Sequence, residues 1–178
     1  MADAGLVVNI DVSELKKHMD NLGQQFQQEP LLKGIGLRQV KWINDNFEQR
    51  GALAGGWKPL SPFTIAHRIK GSDVPLQDKG LLRASFTPGA RDSRFGVAGN
   101  TVTVGTAIPY ASFHEEGVLH PIYPVKAKAL GVKGPRGWAL HHTSGIPKRK
   151  MLPTPQQARD ISVAFIQAKI KKITSGGT

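Results

Sequence analysis

The chain has no cysteine, so neither disulfides nor thiolate metal ligands hold it together, and no thiol nucleophile exists. That absence fits assembly in a reducing cytoplasm. Long apolar runs are also missing, since nothing approaches the roughly 18 residues of a membrane-spanning helix. Met1-Ala2-Asp3-Ala4 lacks the basic start and apolar run of a secretory signal. The protein is expected to stay where it is made, without a membrane partner, unless it leaves as part of a particle. Catalytic signatures are scarce as well. Neither GxGxxG nor GxxxxGK followed by Ser or Thr occurs, so no phosphate cradle can be named, and there is no GxSxG elbow.

Acidic residues are absent from one long stretch. Between Glu116 and Asp160 there is no Asp or Glu, while Lys126, Lys128, Lys133, Arg136, Lys148, Arg149, Lys150 and Arg159 all fall there. With no carboxylate beside those lysines to hold magnesium, a nuclease is disfavoured. The formal charge of +11 is therefore concentrated. Such a patch attracts polyanions, either nucleic acid phosphates or an acidic protein surface; the alternative is a solvated loop that keeps the protein soluble.

What is present describes one globular domain. At 178 residues, 39% hydrophobic and 21% charged, the chain is long enough for a single well-buried core. Leu6–Val12 is β-branched and compact, a short strand within residues 1–12. Residues 13–51 read as a helical hairpin. In its first half Ser13 offers an N-cap, and Leu15, Met19, Leu22 and Phe26 recur at helical spacing. In its second half a helix runs from Pro30 to about Arg50, striped by Leu32, Gly36, Val40, Ile43 and Phe47, with Gly51 placed to stop it.

Residues 57–117 read as the core sheet region. Ser61-Pro62 caps a short helix running to Arg68, and Leu82, Ala84 and Phe86 alternate as on a half-buried strand. Gly99-Asn100 forms a two-residue hairpin turn that pairs Val97 with Val102 and Phe95 with Val104 on one face. Residues 118–152 form a basic arm, in which Ile122–Val132 and Trp138–Ser144 flank a Gly/Pro turn and are expected to pair as a projecting two-stranded unit. Thr154-Pro155-Gln156-Gln157 has the form of a capping box opening a last helix, within 153–173. That helix carries Val163, Ile166, Ile170 and Ile173 on one stripe and Ile161 and Phe165 roughly opposite. Two apolar sides call either for a neighbouring subunit or for a central place in one core.

The stretch Tyr110 to His120, YASFHEEGVLH, raises a metal reading through His114, His120 and Glu115 or Glu116, with His141 or His142 brought across. The spacing is poor, because His114 and His120 stand six apart with Gly117 between them. A structural corner fits better: a short helix begun near Pro109-Tyr110 and ended at Gly117, with Tyr110 and Phe113 burying their rings. His114 then satisfies a buried hydrogen bond, and Glu115 or Glu116 pairs with a lysine or arginine. Trp57, Trp138 and Tyr123 each suit a core anchor or an interface anchor.

Four motifs stand in one order. They are Trp57, Pro59, Leu60 and Ser61; Gly80, Leu82 and Ser85; Tyr110, Ala111, His114 and Gly117; and Arg149, Lys150, Leu152 and Pro153. This order, covering about Ser13 to Ile173, resembles the phage virion morphogenesis family, the tail completion or tail-joining proteins of Mu-like and P2-like phages. The stretch Ile122–Ser144 is longer than in the smallest members and looks like the arm of related head–tail joining proteins, with Ile122, Pro124, Ala127, Lys128, Ala129 and Leu130 in place.

The resemblance implies a non-enzymatic, cofactor-free α+β subunit: an antiparallel sheet with a β-hairpin, packed by long N-terminal and C-terminal helices, plus a projecting β-arm. It further implies a homo-oligomer, a hexameric ring at the head-proximal end of a virion tail. Its partners there would be the tail tube or tail terminator protein and head–tail connector proteins. Interface residues expected on this view are Ile122, Tyr123, Lys126, Lys128, Leu130, Trp138, Val163, Ile166 and Ile170. Contact with phage DNA in the lumen, or with acidic protein, falls to Lys126, Lys133, Arg136, Lys148, Arg149 and Lys150. The competing expectation is a stand-alone basic nucleic-acid-binding protein that stacks bases on Trp138 and Tyr123.

Overall fold

A computed structural model describes residues 6–13, 28–66, 68, 72–118, 130–134, 137–141 and 145–175, with 28, 130–134, 137–141 and 173–175 described by backbone alone. The elements run β1 (Leu6–Asp11), α1 (Gln28–Glu48), a 3-10 turn (Ala52–Ala54), α2 (Pro62–Ala66) and α3 (Leu81–Ala84). After these come β2 (Gly96–Ala98), β3 (Thr101–Thr106), α4 (Tyr110–Glu116), β4 (Leu130–Gly134), β5 (Gly137–His141) and α5 (Pro155–Ser175). The fold is α+β, as expected, with a three-stranded antiparallel sheet ordered β1-β3-β2. The expected helix over 13–26 lies outside the described residues. Ser13 N–H donates to Asp11 Oδ1 at 2.8 Å, and the backbone groups that its side chain was expected to cap lie outside the described residues.

The hairpin has the expected register, Val97 opposite Val102 with Gly99 at φ 55 in the turn. Ile10 lies across Val102 on the other side of β3, and Val8 across Val104. Two apolar rungs therefore cross the sheet. Helix α1 covers them with Leu32, Ile35, Ile43 and Phe47, each almost wholly buried. The helix ends one residue earlier than its glycine. Arg50 takes the left-handed conformation at φ 53, Gly51 N–H reaches Asn46 O at 2.8 Å, and Arg50 N–H reaches Phe47 O at 3.3 Å. These two bonds satisfy carbonyls that the last helical turn leaves open. Gly51 is also left-handed at φ 84, and the Trp57 ring occupies the space a side chain there would need.

Three expectations about packing are corrected. Leu82, Ala84 and Phe86 do not lie on a strand: Leu81–Ala84 is a helical turn, with Leu82 and Phe86 buried and Ala84 exposed. Positions i and i+4 share a face in both a strand and a helix, so three residues could not separate the two periods. Helix α5 does not have two apolar sides. Ala158, Ser162 and Ile166 are buried, with Phe165 and Ile170 packed beside them on the core. At 100° per residue these five span one broad face. Phe165 and Ile166 are its neighbours across the centre, not opposite stripes. Ile166, 3% exposed, is thereby removed from any subunit interface.

Helices α1 and α5 are joined at that face by a buried amide. Gln39 Nε2 donates to Ala158 O at 2.8 Å and to Ser162 Oγ at 3.2 Å. Phe165 lies over Gly34, and the Arg38 guanidinium stacks 5.5 Å from its ring centroid. Thr154 and Gln157 form the expected capping box: Gln157 N–H donates to Thr154 Oγ1 at 3.2 Å and Thr154 N–H to Gln157 Oε1 at 2.9 Å. The basic arm contains the expected strand pair, β4 with β5, Leu130 opposite His141 and Gly134 opposite Gly137, in a sheet of its own.

Candidate functional site

The segment 145–153, which leads from the arm into α5, is held by residues from three of the four motifs. Gly117 ends α4 at φ 76, and a side chain there would stand 2.9 Å from Lys148 N. This close approach brings the two segments together: Val118 N–H donates to Ile146 O at 2.8 Å, and Arg149 N–H to His114 O at 2.7 Å. Glu115, on the same helix, accepts from Met151 N–H at 2.6 Å and Leu152 N–H at 3.3 Å through Oε2. From the other side, Trp57 Nε1 donates to Lys150 O at 2.7 Å, and Asn46 Nδ2 to the same oxygen at 3.1 Å. Trp57 itself stands edge-on to Phe47, with ring centroids 5.1 Å apart.

Several expected roles change here. Arg149 is not a surface cation. It is 5% exposed, and its Nε and Nη2 donate to Lys58 O at 3.1 and 3.0 Å. Burial lowers its pKa, and the charge of Arg68 lowers it further. Lys148 remains exposed and Lys150 is half-buried. Glu115 accepts from main-chain amides, and among the described residues it forms no ion pair with a lysine or arginine. Burial raises its pKa, with the two amides, Lys150 and Lys148 acting in the opposite direction. His114 Nδ1 does not make the buried hydrogen bond expected of the ring, since that atom is buried without a partner. Burial and then the Arg149 charge lower its pKa, so the neutral imidazole is favoured.

Tyr110 and Phe113 do not bury their rings. They are 45% and 54% exposed, and Leu81 nearby in the fold is 60% exposed. Tyr110 contacts the His114 ring edge-on, with centroids 6.2 Å apart. Leu81, Tyr110 and His114 line a cleft of about 240 Å³, together with Arg68, Leu76 and Asp78. The motif residues Gly80 and Leu82 lie in the same wall, while Pro59 lines a second hollow near Trp57. Leu76 adopts φ 61, a left-handed conformation that costs a branched residue about 1 kcal/mol or more.

No three of His, Asp or Glu converge as metal ligands among the described residues. His120 and His142 lie outside those residues, as do Ile122, Tyr123, Lys126, Lys128 and Arg136. For Leu130, Lys133, Trp138 and His141 only the backbone is described. Among the described residues, no helix is long and apolar enough to cross a membrane. Sequence reasoning missed Asn46, Arg68 and Asp78, since none belongs to a local pattern. Comparison with protein-family models, curated proteins and solved structures finds no match.

Proposed function

We propose that this chain is a structural virion protein that completes the phage tail, or joins it to the head, as a homo-oligomeric ring at the head-proximal tail end. The observation that carries the reading is how the motif residues are used. Trp57, His114, Gly117, Arg149 and Lys150 meet through main-chain bonds and one close glycine contact, so their job is to hold a corner of the subunit. A catalytic or metal-binding set would instead present side chains to a shared ligand.

In the chain order the arm precedes that corner and α5 follows it, so the corner secures the core-side end of the segment that joins the two. Large apolar groups remain outside, notably Leu81, Tyr110 and Phe113, as at a surface that meets other proteins. Subunits that contact each other through unlike surfaces close into a ring when the rotation allows, here a hexamer by the resemblance. Tail tube or terminator protein and head–tail connector proteins are the neighbours proposed, with DNA passing through the lumen.

Deleting 122–144 and rejoining the chain tests the reading. The shortened protein should remain folded by circular dichroism while losing rings in native mass measurements, and tails completed without it should be seen as defective in electron micrographs. A shortened chain that still forms rings and restores tails overturns the arm's role. A full-length chain that stays monomeric at high concentration and is absent from particles overturns the assembly role.

A further inference from the structure

The cleft beside α4 carries an imbalance of charge and hydrogen bonding that the subunit does not resolve. Arg149 is buried, and no carboxylate pairs with it among the described residues. A buried guanidinium normally has such a partner, since taking the charge out of water is costly without one. Among the described residues its guanidinium donates only to a neutral carbonyl, that of Lys58. Arg68 stands close enough to add to the repulsion. Arg68 lines the cleft, half-buried, with Nη1 on the carbonyls of Ser72 and Val74 and no carboxylate of its own among the described residues. Lys79 is the second cation of the lining, so among the described residues two cations face the single carboxylate of Asp78, and Arg149 is not itself part of the wall.

Two polar atoms of the lining also go unanswered. Asp78 Oδ1 and His114 Nδ1 are both buried without partners, and both residues line it. Leu76, Leu81 and Tyr110 supply an apolar flank. An occupant that answers all of this carries a negative group, a hydrogen-bond donor and an apolar side chain within a few ångströms of one another. A peptide segment has them, in a Glu or Asp side chain, main-chain N–H groups and an adjacent Leu or aromatic residue. A nucleic acid backbone has only the first. Its phosphate diesters donate no hydrogen bond, and they favour open cationic grooves over an apolar flank.

We propose that this cleft is the docking site for an acidic, apolar segment of a partner protein, its carboxylate meeting Arg68 and Lys79 and its apolar side chain lying on Leu81 and Tyr110. The chain's own charge of +11 makes a complementary acidic protein a better occupant than a second copy. The inference rests on the assembly reading for the kind of partner, and it names the surface on the subunit where that partner is held.

Nuclear magnetic resonance on the full chain tests it, with acetylated glutamyl-leucine amide as the probe. Glutaminyl-leucine amide, inorganic phosphate and a short DNA duplex serve as comparisons. The glutamyl probe should saturate, shifting the Arg68 Nε–H and His114 ring signals, and the glutaminyl probe should bind about tenfold more weakly, as expected for loss of one charged hydrogen bond. Arg68→Gln should weaken the glutamyl probe by about the same factor. Leu81→Ser, which alters an exposed side chain, should weaken it about fivefold through lost apolar contact and keeps the test decisive should Arg68→Gln disturb the loop. Equal binding of the two peptides, displacement by phosphate or DNA at matched concentration, or no saturation overturns the proposal. Native mass measured on the same preparation separates the cases. Rings without peptide binding sink only this site, whereas absence of rings sinks the assembly reading.

Discussion

The indole of Trp57 donates to the main-chain carbonyl of Lys150 at 2.7 Å, across 93 residues of sequence. Asn46 shares that oxygen at 3.1 Å, so the carbonyl where the basic segment turns into the last helix is held from two sides. Trp57→Phe keeps a ring edge-on to Phe47 but removes the indole donor. It is expected to lower stability by about 1–2 kcal/mol, seen as a lower urea midpoint with an unchanged slope. An unchanged midpoint would show that Asn46 alone secures the turn.

Glu115 predicts a particular pH dependence. Burial raises its pKa above the ordinary glutamate value, so the folded chain holds this proton where the unfolded chain has released it. The group's stabilising contribution is complete below the unfolded pKa and fades as pH rises through the folded one. Glu115→Gln should remove that decline, leaving a flatter stability curve from the ordinary glutamate pKa upward. Denaturation at a series of pH values compares the two chains, and a carboxyl-carbon titration reads the residue directly. Identical curves would mean that the carboxylate does not titrate in that window.

Gly34 and Phe165 are coupled, because a side chain at 34 would approach Phe165 Cζ to 2.5 Å. Gly34→Ala alone should destabilise by about 1 kcal/mol, since the crowding outweighs the gain in helix propensity. In a Phe165→Ala background the same change should stabilise by roughly 0.5–1 kcal/mol, because only the propensity gain remains. Additive effects in the four-protein cycle would contradict this packing.

The capping box of α5 is open to a simple test. Thr154→Ala removes the oxygen that accepts Gln157 N–H and should cost about 1 kcal/mol, while Thr154→Ser should cost a few tenths. Thermal unfolding of both variants distinguishes a working cap from an incidental contact.

The features legible in sequence are those whose causes lie within a few residues. The register of Val97 with Val102 follows from a two-residue turn, the capping box from Thr154 and Gln157, and the buried stripe of α1 from its helical period. The errors also have identifiable causes. Leu82 and Phe86 fit two periods at once. Phe165 and Ile166 looked like members of opposed stripes because the centre of their shared face is Ser162, a polar residue buried against Gln39. Tyr110 and Phe113 looked buried because their rings are apolar, yet α4 turns both outward and gives only Ala111 to the core.

Sequence by itself determined which segments are helices and hairpins wherever one side chain meets another, or its own backbone, within about one turn. It also set the charge balance and the order of the motifs. Tertiary structure alone decided that Arg149 is buried on Lys58, that Glu115 holds the amides of Met151 and Leu152, and that Trp57 reaches Lys150. The reason is chemical. In each of these contacts one partner is a main-chain carbonyl or amide, a group present at every residue along the chain. It leaves no mark in the order of side chains, and only folding shows which one is met.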